Sequence, residues 1–180
     1  DNKKKVINYL SNDKKNKSKN KIKFKNLSVV IMAGGLGTRL KPYSNILPKP
    51  LLPFKDKTIL ESVIDSFLEF GLKKFIISVN YKNILIKSFF KELNPKYKIK
   101  FLEEKIPLGT AGALRKLYSK SNKTYIVTNC DTILDIDFNE LCKYHYKSGN
   151  DLSIVTSTRI NKIPYGVCHI EKNKLKKIIE

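Results

Sequence analysis

The stretch VVIMAGGLGTRLKPYSNILPKPLLPF runs from Val29 to Phe54 and decides the fold. With the preceding Ser28, its first residues form a segment, Ser28–Ala33, that has the length of a β-strand and is apolar on both faces, as a central strand of a parallel sheet is. A glycine loop follows at once and leads to Arg39 and then to Lys49. Because ligands of parallel α/β sheets bind beyond the carboxyl ends of the strands, this loop is the first candidate for a functional site.

The glycine loop matches neither of the two best-known phosphate loops. In Gly35-Leu36-Gly37-Thr38-Arg39 the third glycine of the dinucleotide fingerprint is replaced by Leu40, and the P-loop pattern fails too. Glycines nevertheless let backbone N–H groups approach an anion closely, and a planar guanidinium matches the oxygens of a phosphate. The loop therefore has the chemistry of a phosphate site.

Lys49 stands between Pro48 and Pro50. Each proline fixes its own φ and restricts the residue before it, so this segment is stiff. One interpretation is an ordinary proline-rich loop with a solvated lysine. The other is a rigidly mounted point charge that meets one specific oxygen, and the glycine loop ten residues upstream favours it.

Strand-length apolar runs alternate with helical periods along the rest of the chain. Thr58 and Glu61 fit a capping box for a helix over Thr58–Phe70 that ends at Gly71. The other predicted elements are strands Phe75–Val79, Ile99–Leu102, Tyr125–Thr128 and Leu152–Thr156, helices Ile84–Leu93, Ala111–Ser119 and Phe138–Tyr146, and a hairpin of Val167–Ile170 and Leu175–Ile179 with Asn173 in its turn. This order predicts an α/β fold: a doubly wound, mostly parallel, Rossmann-like sheet with helices on both faces.

The formal net charge of +20 raises the question of a nucleic-acid partner. Residues 1–26 hold ten lysines and two aspartates, and the remaining excess charge is spread over the body. The chain has no RNP-type aromatic motif, no zinc-finger spacing and no basic-region heptad. We therefore expect a solvated cationic surface and no nucleic-acid partner, and keep a basic nucleic-acid-binding protein as the second alternative.

The chain is predicted to comprise a basic linker or disordered arm over residues 1–26 and one domain over residues 27–180. A single helix around Val6–Leu10 is the alternative for the arm. The sequence has no apolar run long enough to span a membrane and no signal-peptide core, so we expect a cytoplasmic protein without a membrane partner. Cys130, Cys142 and Cys168 form no CxxC pair, which predicts reduced thiols, the latter two in or near the core.

The stretch GGLGTRLKPYSNILPKPLLPF resembles the signature of the sugar-1-phosphate nucleotidyltransferases, or NDP-sugar pyrophosphorylases, which reads roughly GGxGTRLxPxTxxxPKPxLP. Ser44 replaces a threonine of that pattern and keeps its hydroxyl. The resemblance implies transfer of a nucleoside monophosphate from an NTP to a sugar 1-phosphate, with release of pyrophosphate. It implies that Arg39 serves the β- and γ-phosphates and Lys49 the α-phosphate and the sugar phosphate. The nucleotide-binding residues that it implies are Met32, Ala33, Gly34, Gly35, Gly37 and Thr38.

Two further segments resemble the family in the same order. The segment EKIPLGTAGA, residues 104–113, resembles the one that lies over the nucleobase, which implies base contacts from Glu104 and Gly109 and is compatible with Thr110 as a helix cap. Asn129-Cys130-Asp131 resembles the family's N-G-D, whose aspartate holds Mg²⁺, with a cysteine in place of the glycine. The preference of Mg²⁺ for one or two carboxylates, phosphate oxygens and water agrees with Asp131 as its ligand.

The sugar side of the resemblance is incomplete. Gly166 resembles a glycine whose backbone touches the sugar, and Glu180 the glutamate of an E-K-P motif that binds sugar hydroxyls. The lysine of that motif and a second metal-binding aspartate are missing, which predicts a domain truncated at its C-terminus. Asp135 and Asp137 are predicted as a turn and a helix cap, and His145 as a helix-surface residue.

The base and the sugar stay open at this level. The segments at residues 129–137 and 150–152 resemble a bacterial guanylyltransferase branch whose members often follow a pair of CBS regulatory modules and make GDP-amino-sugars for surface glycans. The first alternative to an active enzyme is a fragment or homologue that binds nucleotide or sugar phosphate without turnover. A preceding regulatory domain and a homo-oligomer are also left open.

Overall fold

The computed structural model describes residues 27–104, 106, 108–109, 111–118, 123–158 and 165–179. The predictions for residues 1–26, for Thr110 and for Glu180 lie outside this part of the chain. The chain divides into two compact units, Asp1–Tyr144 and His145–Glu180. The first contains the glycine loop, and the second contains the closing hairpin.

The strands and helices follow the predicted order closely. The strands are β1 (Leu27–Met32), β2 (Pro53–Phe54), β3 (Lys57–Thr58), β4 (Lys74–Val79), β5 (Lys98–Glu103), β6 (Thr124–Asn129), β7 (Val167–Glu171) and β8 (Lys174–Ile179). The α-helices are α1 (Tyr43–Ile46), α2 (Ile59–Leu68), α3 (Asn83–Leu93) and α4 (Phe138–Ser148).

Four of these strands form one parallel sheet in the order β5-β4-β1-β6, which confirms the predicted α/β fold. Val29 of β1 is in register with Phe75 of β4 on one side and with Ile126 of β6 on the other. The chain adds β4 and β5 on one side of β1 and then β6 on the opposite side. The strand order therefore reverses between β1 and β6, and such a switch point opens a crevice at the carboxyl ends of the strands.

Burial explains why β1 is central. Val29, Val30 and Ile31 are completely buried, so both faces of the strand are covered. The predicted capping box is present at the start of α2, where the Thr58 hydroxyl accepts the Glu61 N–H and the Glu61 carboxylate accepts the Thr58 N–H. Apolar side chains of α2, α3 and α4 join alternate residues of β1 and β4 in one core cluster.

Two predicted elements differ in the structure. Residues 152–158 form no strand, and Leu152 and Ile154 have exposed side chains, since the described residues provide no strand that pairs with them. The predicted helix over Ala111–Ser119 is a 3₁₀ helix over Gly112–Leu117, and Ser119 lies outside the described residues. Gly112 is a poor α-helix former and lies so close to Leu108 that a Cβ would meet that side chain at 2.6 Å.

The second unit contains the antiparallel hairpin β7–β8. Its turn residues Lys172 and Asn173 both have positive φ, 48° and 59°, which confirms the predicted turn at Asn173. Every residue of both strands is exposed. The prediction that Cys168 lies in or near the core is therefore wrong, whereas Cys142 is buried in α4 as predicted.

No described helix combines the length and apolar character required to cross a membrane.

Candidate functional site

The candidate site lies where the four parallel strands end. The glycine loop follows β1, Asn80 follows β4, Glu104 follows β5, and Asp131 comes two residues after β6. Carboxyl ends of parallel strands meet at one edge of a sheet, which is where ligands bind in open α/β folds. Residues far apart in the sequence are therefore assembled at one edge.

The glycine loop packs against the lysine segment. A one-turn 3₁₀ helix, Thr38–Leu40, starts directly after Gly37, whose φ of 63° is left-handed. A Cβ on Gly37 would stand 3.3 Å from the Cβ of Lys49 and 3.4 Å from that of Ser44. Gly37 is therefore required twice, by its conformation and by the close approach of the segment that carries Lys49.

Lys49 is mounted as the two prolines predict. It begins a short 3₁₀ helix, Lys49–Leu51, while Pro48 and Pro50 are buried on either side of it. Its ammonium group donates a hydrogen bond to Oδ2 of Asp131 and forms an ion pair with it. The pair joins the loop after β1 to the end of β6 across the switch point of the sheet. The two side chains are 23% and 39% exposed, so ligand oxygens can reach both charges.

Arg39 has a different setting. It lies in the 3₁₀ helix after Gly37 and is exposed. Within the part of the chain that the structure describes, no hydrogen bond or ion pair of its guanidinium is present. The fork of donors can therefore turn to an anion from solvent.

Tyr81 and Lys82, which follow β4, contact the segment between Arg39 and Lys49. Lys82 donates from its ammonium group to the carbonyl oxygens of Asn45 at 2.5 Å and Ile46 at 2.8 Å. The Tyr81 hydroxyl reaches the carbonyl oxygen of Ser44 at 3.5 Å. A cation near the last carbonyls of a helix is a favourable C-terminal cap. This brace fixes α1, which lies between Arg39 and Lys49 in the chain.

Glu104 is a buried carboxylate that accepts hydrogen bonds at both of its oxygens. Its side chain is buried, Oε1 accepts a hydrogen bond from the Ser78 hydroxyl, and Oε2 accepts the Leu108 N–H at 3.2 Å. The Asn80 amide donates to the backbone carbonyl of Glu104 at 2.6 Å. A Cβ on Gly34 would lie 3.0 Å from Oε1, so the first glycine of the loop adjoins this carboxylate.

Cys130 departs from the N-G-D pattern without adding a reactive group. It is buried, and burial raises the pKa of its thiol to about 11, with the Asp131 carboxylate raising it further and Lys49 opposing this. The thiol is therefore protonated near neutral pH and is not a nucleophile. Its backbone N–H donates to the carbonyl of Met32 at 3.2 Å, which ties the end of β6 to the end of β1.

The other predicted site residues are distributed as follows. At the end of β1, Met32 is half-buried and the buried Ala33 donates its N–H to the Ser78 carbonyl at 2.9 Å. Thr38, Gly35 and Gly109 are exposed, and Gly109 has a φ of 77°. Gly166 is exposed in the second unit.

Two of the predictions concern polar side chains outside the site, Asp137 and His145. Asp137 Oδ1 accepts the N–H groups of Asn139 at 2.8 Å and Glu140 at 3.3 Å, which confirms it as the cap of α4. His145 is half-buried and pairs through Nδ1 with the Ser153 hydroxyl at 3.0 Å. All three cysteines are free thiols.

Sequence reasoning missed the residues that support the site: Ser78, Asn80, Tyr81 and Lys82. One signal was present. Ser78 is the single polar side chain in the apolar run Phe75–Val79, and Asn80 follows at the carboxyl end of that strand. A hydroxyl inside a buried strand needs a hydrogen-bond partner, but only the fold identifies that partner as Glu104.

The residues described at this edge of the sheet fit a divalent metal that is held by one carboxylate together with phosphate oxygens. The described residues contain no group of three or more His, Cys, Asp and Glu side chains that could hold a metal ion between them. Asp131 is one accessible carboxylate beside a candidate phosphate site. Mg²⁺ accepts such a set, because it is commonly held by one or two carboxylates while phosphate oxygens and waters complete its octahedron.

A glycine loop after a central strand and paired charges at the switch point are features of α/β domains that bind nucleotides. The comparison with known families agrees: the family model described as nucleotidyl transferase matches residues 28–180. The chain belongs to the nucleotidyl transferase family.

Curated relatives share this part of the sequence. A mannose-1-phosphate guanyltransferase from Aspergillus oryzae is 35% identical over 78% of this chain and 40% of its own length. A D-glycero-alpha-D-manno-heptose 1-phosphate guanylyltransferase from Campylobacter jejuni is 41% identical over 64% of this chain and 52% of its own length. The chain thus spans about half the length of these relatives or less.

A solved structure shares the fold. HddC from Yersinia pseudotuberculosis, complexed with GMP-PN, superimposes with a TM-score of 0.57 and 30% identity over 85% of this chain and 68% of that one. A UDP-glucose pyrophosphorylase complexed with UDP-glucose has a TM-score of 0.56 at 18% identity over 68% of this chain and 54% of that one, which supports the fold alone.

Proposed function

We propose that the protein is a sugar-1-phosphate guanylyltransferase, which transfers GMP from GTP to a sugar 1-phosphate and releases pyrophosphate. The observation that carries the proposal is the Lys49–Asp131 pair at the switch point of the sheet, next to the glycine loop. It supplies a cation for phosphate oxygens and a carboxylate for a metal at the same place. Family membership supports the type of reaction.

Guanine is the base that we propose, on two grounds. The relatives in Aspergillus oryzae and Campylobacter jejuni are guanylyl transferring enzymes by name, and HddC was solved with GMP-PN. Glu104 offers an acceptor-only carboxylate at the strand edge, and guanine presents N–H donors on its Watson–Crick edge. Met32, Ala33, Gly34 and Gly109 would line the base and ribose beside it.

The reaction requires little covalent chemistry from the protein. An oxygen of the sugar phosphate attacks the α-phosphorus of GTP in line, the new P–O bond forms, and the bond to the β-phosphate breaks. The protein positions the two phosphate groups and neutralises their charge. Lys49, on its stiff mount, would hold the α-phosphate and the incoming sugar phosphate. Arg39, together with the N–H groups of Gly35, Gly37 and Thr38, would bind the phosphates that leave.

Mg²⁺ is the proposed cofactor, with Asp131 as its ligand from this chain. When bound, it would neutralise charge on the nucleotide's phosphate oxygens. The present partner of Asp131 is Lys49. We infer that Asp131 has both partners during a reaction cycle, which requires its carboxylate to remain accessible, as its 39% exposure allows.

The sugar is proposed from the relatives rather than from the site. Both named above act on manno-configured sugar 1-phosphates, so we propose this class as acceptor. Gly166 and Glu180 remain the proposed contacts to the sugar. We place the reaction in the cytoplasm, where NTPs are available, and its product in surface-glycan synthesis.

The test is a pyrophosphate-release matrix on the complete protein. Each of the four NTPs is combined with mannose 1-phosphate, a manno-heptose 1-phosphate, glucose 1-phosphate and an amino-sugar 1-phosphate in the presence of Mg²⁺. We expect release with GTP and a manno-configured acceptor. Release with ATP, CTP or UTP only would contradict the guanylyl assignment and keep the family reaction.

Calorimetry separates this proposal from binding without turnover. GTP is titrated into the chain with Mg²⁺, and the same preparation is assayed for pyrophosphate. Binding together with release supports the enzyme. Binding by the complete protein without release under any combination of the matrix would support the nucleotide-binding alternative instead.

A further inference from the structure

Ser78 is a buried hydroxyl with one specific partner. It lies in β4 with no exposed surface, and its hydroxyl donates to Oε1 of Glu104. Its neighbours in the strand, Ile77 and Val79, are apolar and fully buried. A serine in such a strand has no packing advantage over alanine or valine, so its hydrogen bond is what distinguishes it.

Glu104 is fixed at several further points. Its backbone N–H donates to the Val79 carbonyl at 2.9 Å, and its backbone carbonyl accepts from the Asn80 side chain at 2.6 Å. Its second carboxylate oxygen, Oε2, accepts the N–H of Leu108 at 3.2 Å. Among the described residues, each carboxylate oxygen thus accepts one hydrogen bond, and a carboxylate oxygen can accept a second from another donor.

The backbone of Gly34 passes close to this carboxylate. A Cβ at that position would stand 3.0 Å from Oε1 and 3.4 Å from the Cβ of Asn80, so a side chain there would press on the carboxylate. The end of β1 therefore passes beside the carboxylate without a side chain. Ser78 contacts Oε1 from the intervening strand β4, which lies between β1 and β5.

A carboxylate with both oxygens preset discriminates between bases. Guanine presents two adjacent donors, N1–H and the 2-amino group, which match two acceptor oxygens. Adenine and cytosine each place an acceptor nitrogen next to their amino group, and uracil has one N–H between two carbonyl groups. A fixed carboxylate can therefore select guanine over the other three bases by its two adjacent donors.

We propose that Ser78 is a positioning residue for base selection: by holding Oε1 it orients the Glu104 carboxylate so that both oxygens meet the paired N–H donors of guanine. The inference rests on the proposed function, since it assumes that a guanine nucleotide is the ligand. It goes beyond that function because Ser78 itself does not touch the base. A serine that merely satisfies its own hydrogen bond would affect stability and leave the choice of base unchanged.

The experiment compares GTP with ITP, which lacks the 2-amino group. Dissociation constants for GTP, ITP and ATP are measured by calorimetry with Mg²⁺ on the wild-type chain, Ser78→Ala and Ser62→Ala. Ser62 is the matched control, because its hydroxyl also makes a hydrogen bond, to the Thr58 carbonyl at 3.1 Å in the first turn of α2. Ser78→Cys is the second variant, with a similar shape and a weak donor.

We expect wild type to bind GTP roughly tenfold more tightly than ITP, the effect of one hydrogen bond to a charged group. Ser78→Ala should bring this ratio close to one, Ser78→Cys should give an intermediate ratio, and Ser62→Ala should keep the wild-type ratio. In a Glu104→Ala background, Ser78→Ala should change the ratio no further, because both variants remove the same interaction.

The outcomes separate the inference from the function on which it rests. Wild type that binds ATP as well as GTP would contradict the proposed guanine site. Wild type that prefers GTP, with a folded Ser78→Ala protein that retains the wild-type GTP-to-ITP ratio, would overturn the role of Ser78 alone. Should Ser78→Ala fail to fold, Ser78→Cys with an unchanged ratio would overturn it equally.

Discussion

The two sides of the candidate site are built in opposite ways. On the proposed phosphate side, Lys49, Asp131 and Arg39 are charged and partly or fully exposed, and the loop that carries Arg39 and Lys49 is held by backbone constraints such as prolines and a left-handed glycine. On the proposed base side, Glu104 is buried and its carboxylate is fixed by side-chain and backbone hydrogen bonds.

This difference in exposure and hydrogen bonding agrees with the roles proposed for the two sides. Phosphate groups and a metal change partners during a transfer reaction, so their protein ligands must be able to exchange contacts. An exposed ion pair such as Lys49–Asp131 contributes little to stability and is exchanged at little cost. A base has to be distinguished from similar bases, and this requires donors and acceptors whose positions are set before binding.

The largest effect is expected on the phosphate side. Lys49→Ala or Asp131→Ala should lower the rate of pyrophosphate release by about 10²–10³-fold or more, because the first removes the proposed cation for the transferring phosphate and the second the proposed ligand of the metal. Thermal unfolding should change little, since both side chains are partly exposed. Rate and melting temperature are measured on the complete protein.

Lys96→Ala is the control for loss of a positive charge, since Lys96 is exposed in the loop before β5. It should leave the rate unchanged. A rate for Lys49→Ala equal to that of wild type would refute the role of Lys49 in the reaction.

On the base side, Glu104→Gln should weaken selection for guanine. The new amide places a donor where guanine also has donors, so the preference for GTP over UTP in kcat/KM should fall by roughly 10- to 100-fold. Steady-state kinetics with both nucleotides measures it.

Glu103→Gln provides a matched control on the adjacent residue. Glu103 is exposed and pairs with Lys87 at 2.6 Å. Glu103→Gln therefore removes the same negative charge as Glu104→Gln, but outside the proposed base site. Equal losses of preference in the two variants would show that charge alone, and not the fixed carboxylate, selects the base.

Two glycines of the phosphate loop, Gly37 and Gly35, are expected to differ in their contribution to the free energy of unfolding. Gly37→Ala should destabilise the protein by about 1–2 kcal/mol, because alanine is strained at a φ of 63° and its Cβ would press on Lys49. Gly35→Ala should have little effect on unfolding, since a Cβ there meets nothing within 4 Å. Urea unfolding of both variants tests this. Similar losses would mean that the loop does not pack on the lysine segment.

The smallest effect is expected at the brace behind the phosphate loop. Lys82→Ala removes hydrogen bonds to two carbonyls of α1 and should cost about 1 kcal/mol, within the range for a cation at a helix C-terminus. Lys91→Ala, on the exposed side of α3, is the control. Hydrogen exchange of residues 43–47 should rise in the first variant only, and unchanged exchange would argue against the brace.

Much of the fold could be predicted because its signals are local. The strand before the glycine loop, the capping box at Thr58 and the turn at Asn173 all depend on neighbouring residues. Leu152–Thr156 shows the limit. Its apolar run has the length of a strand, but a strand needs a partner, and the side chains of Leu152 and Ile154 are exposed without one among the described residues.

The sequence by itself determined the candidate groups of the site. A glycine loop, an arginine and a stiffly mounted lysine follow from residue types and local spacing, because backbone freedom and charge are local properties. The aspartate after β6 was identified by its resemblance to the family's N-G-D motif. Only the tertiary structure decided which groups meet. The order β5-β4-β1-β6 brings Lys49 to Asp131 and Ser78 to Glu104, and such contacts depend on strand neighbours that no local pattern specifies.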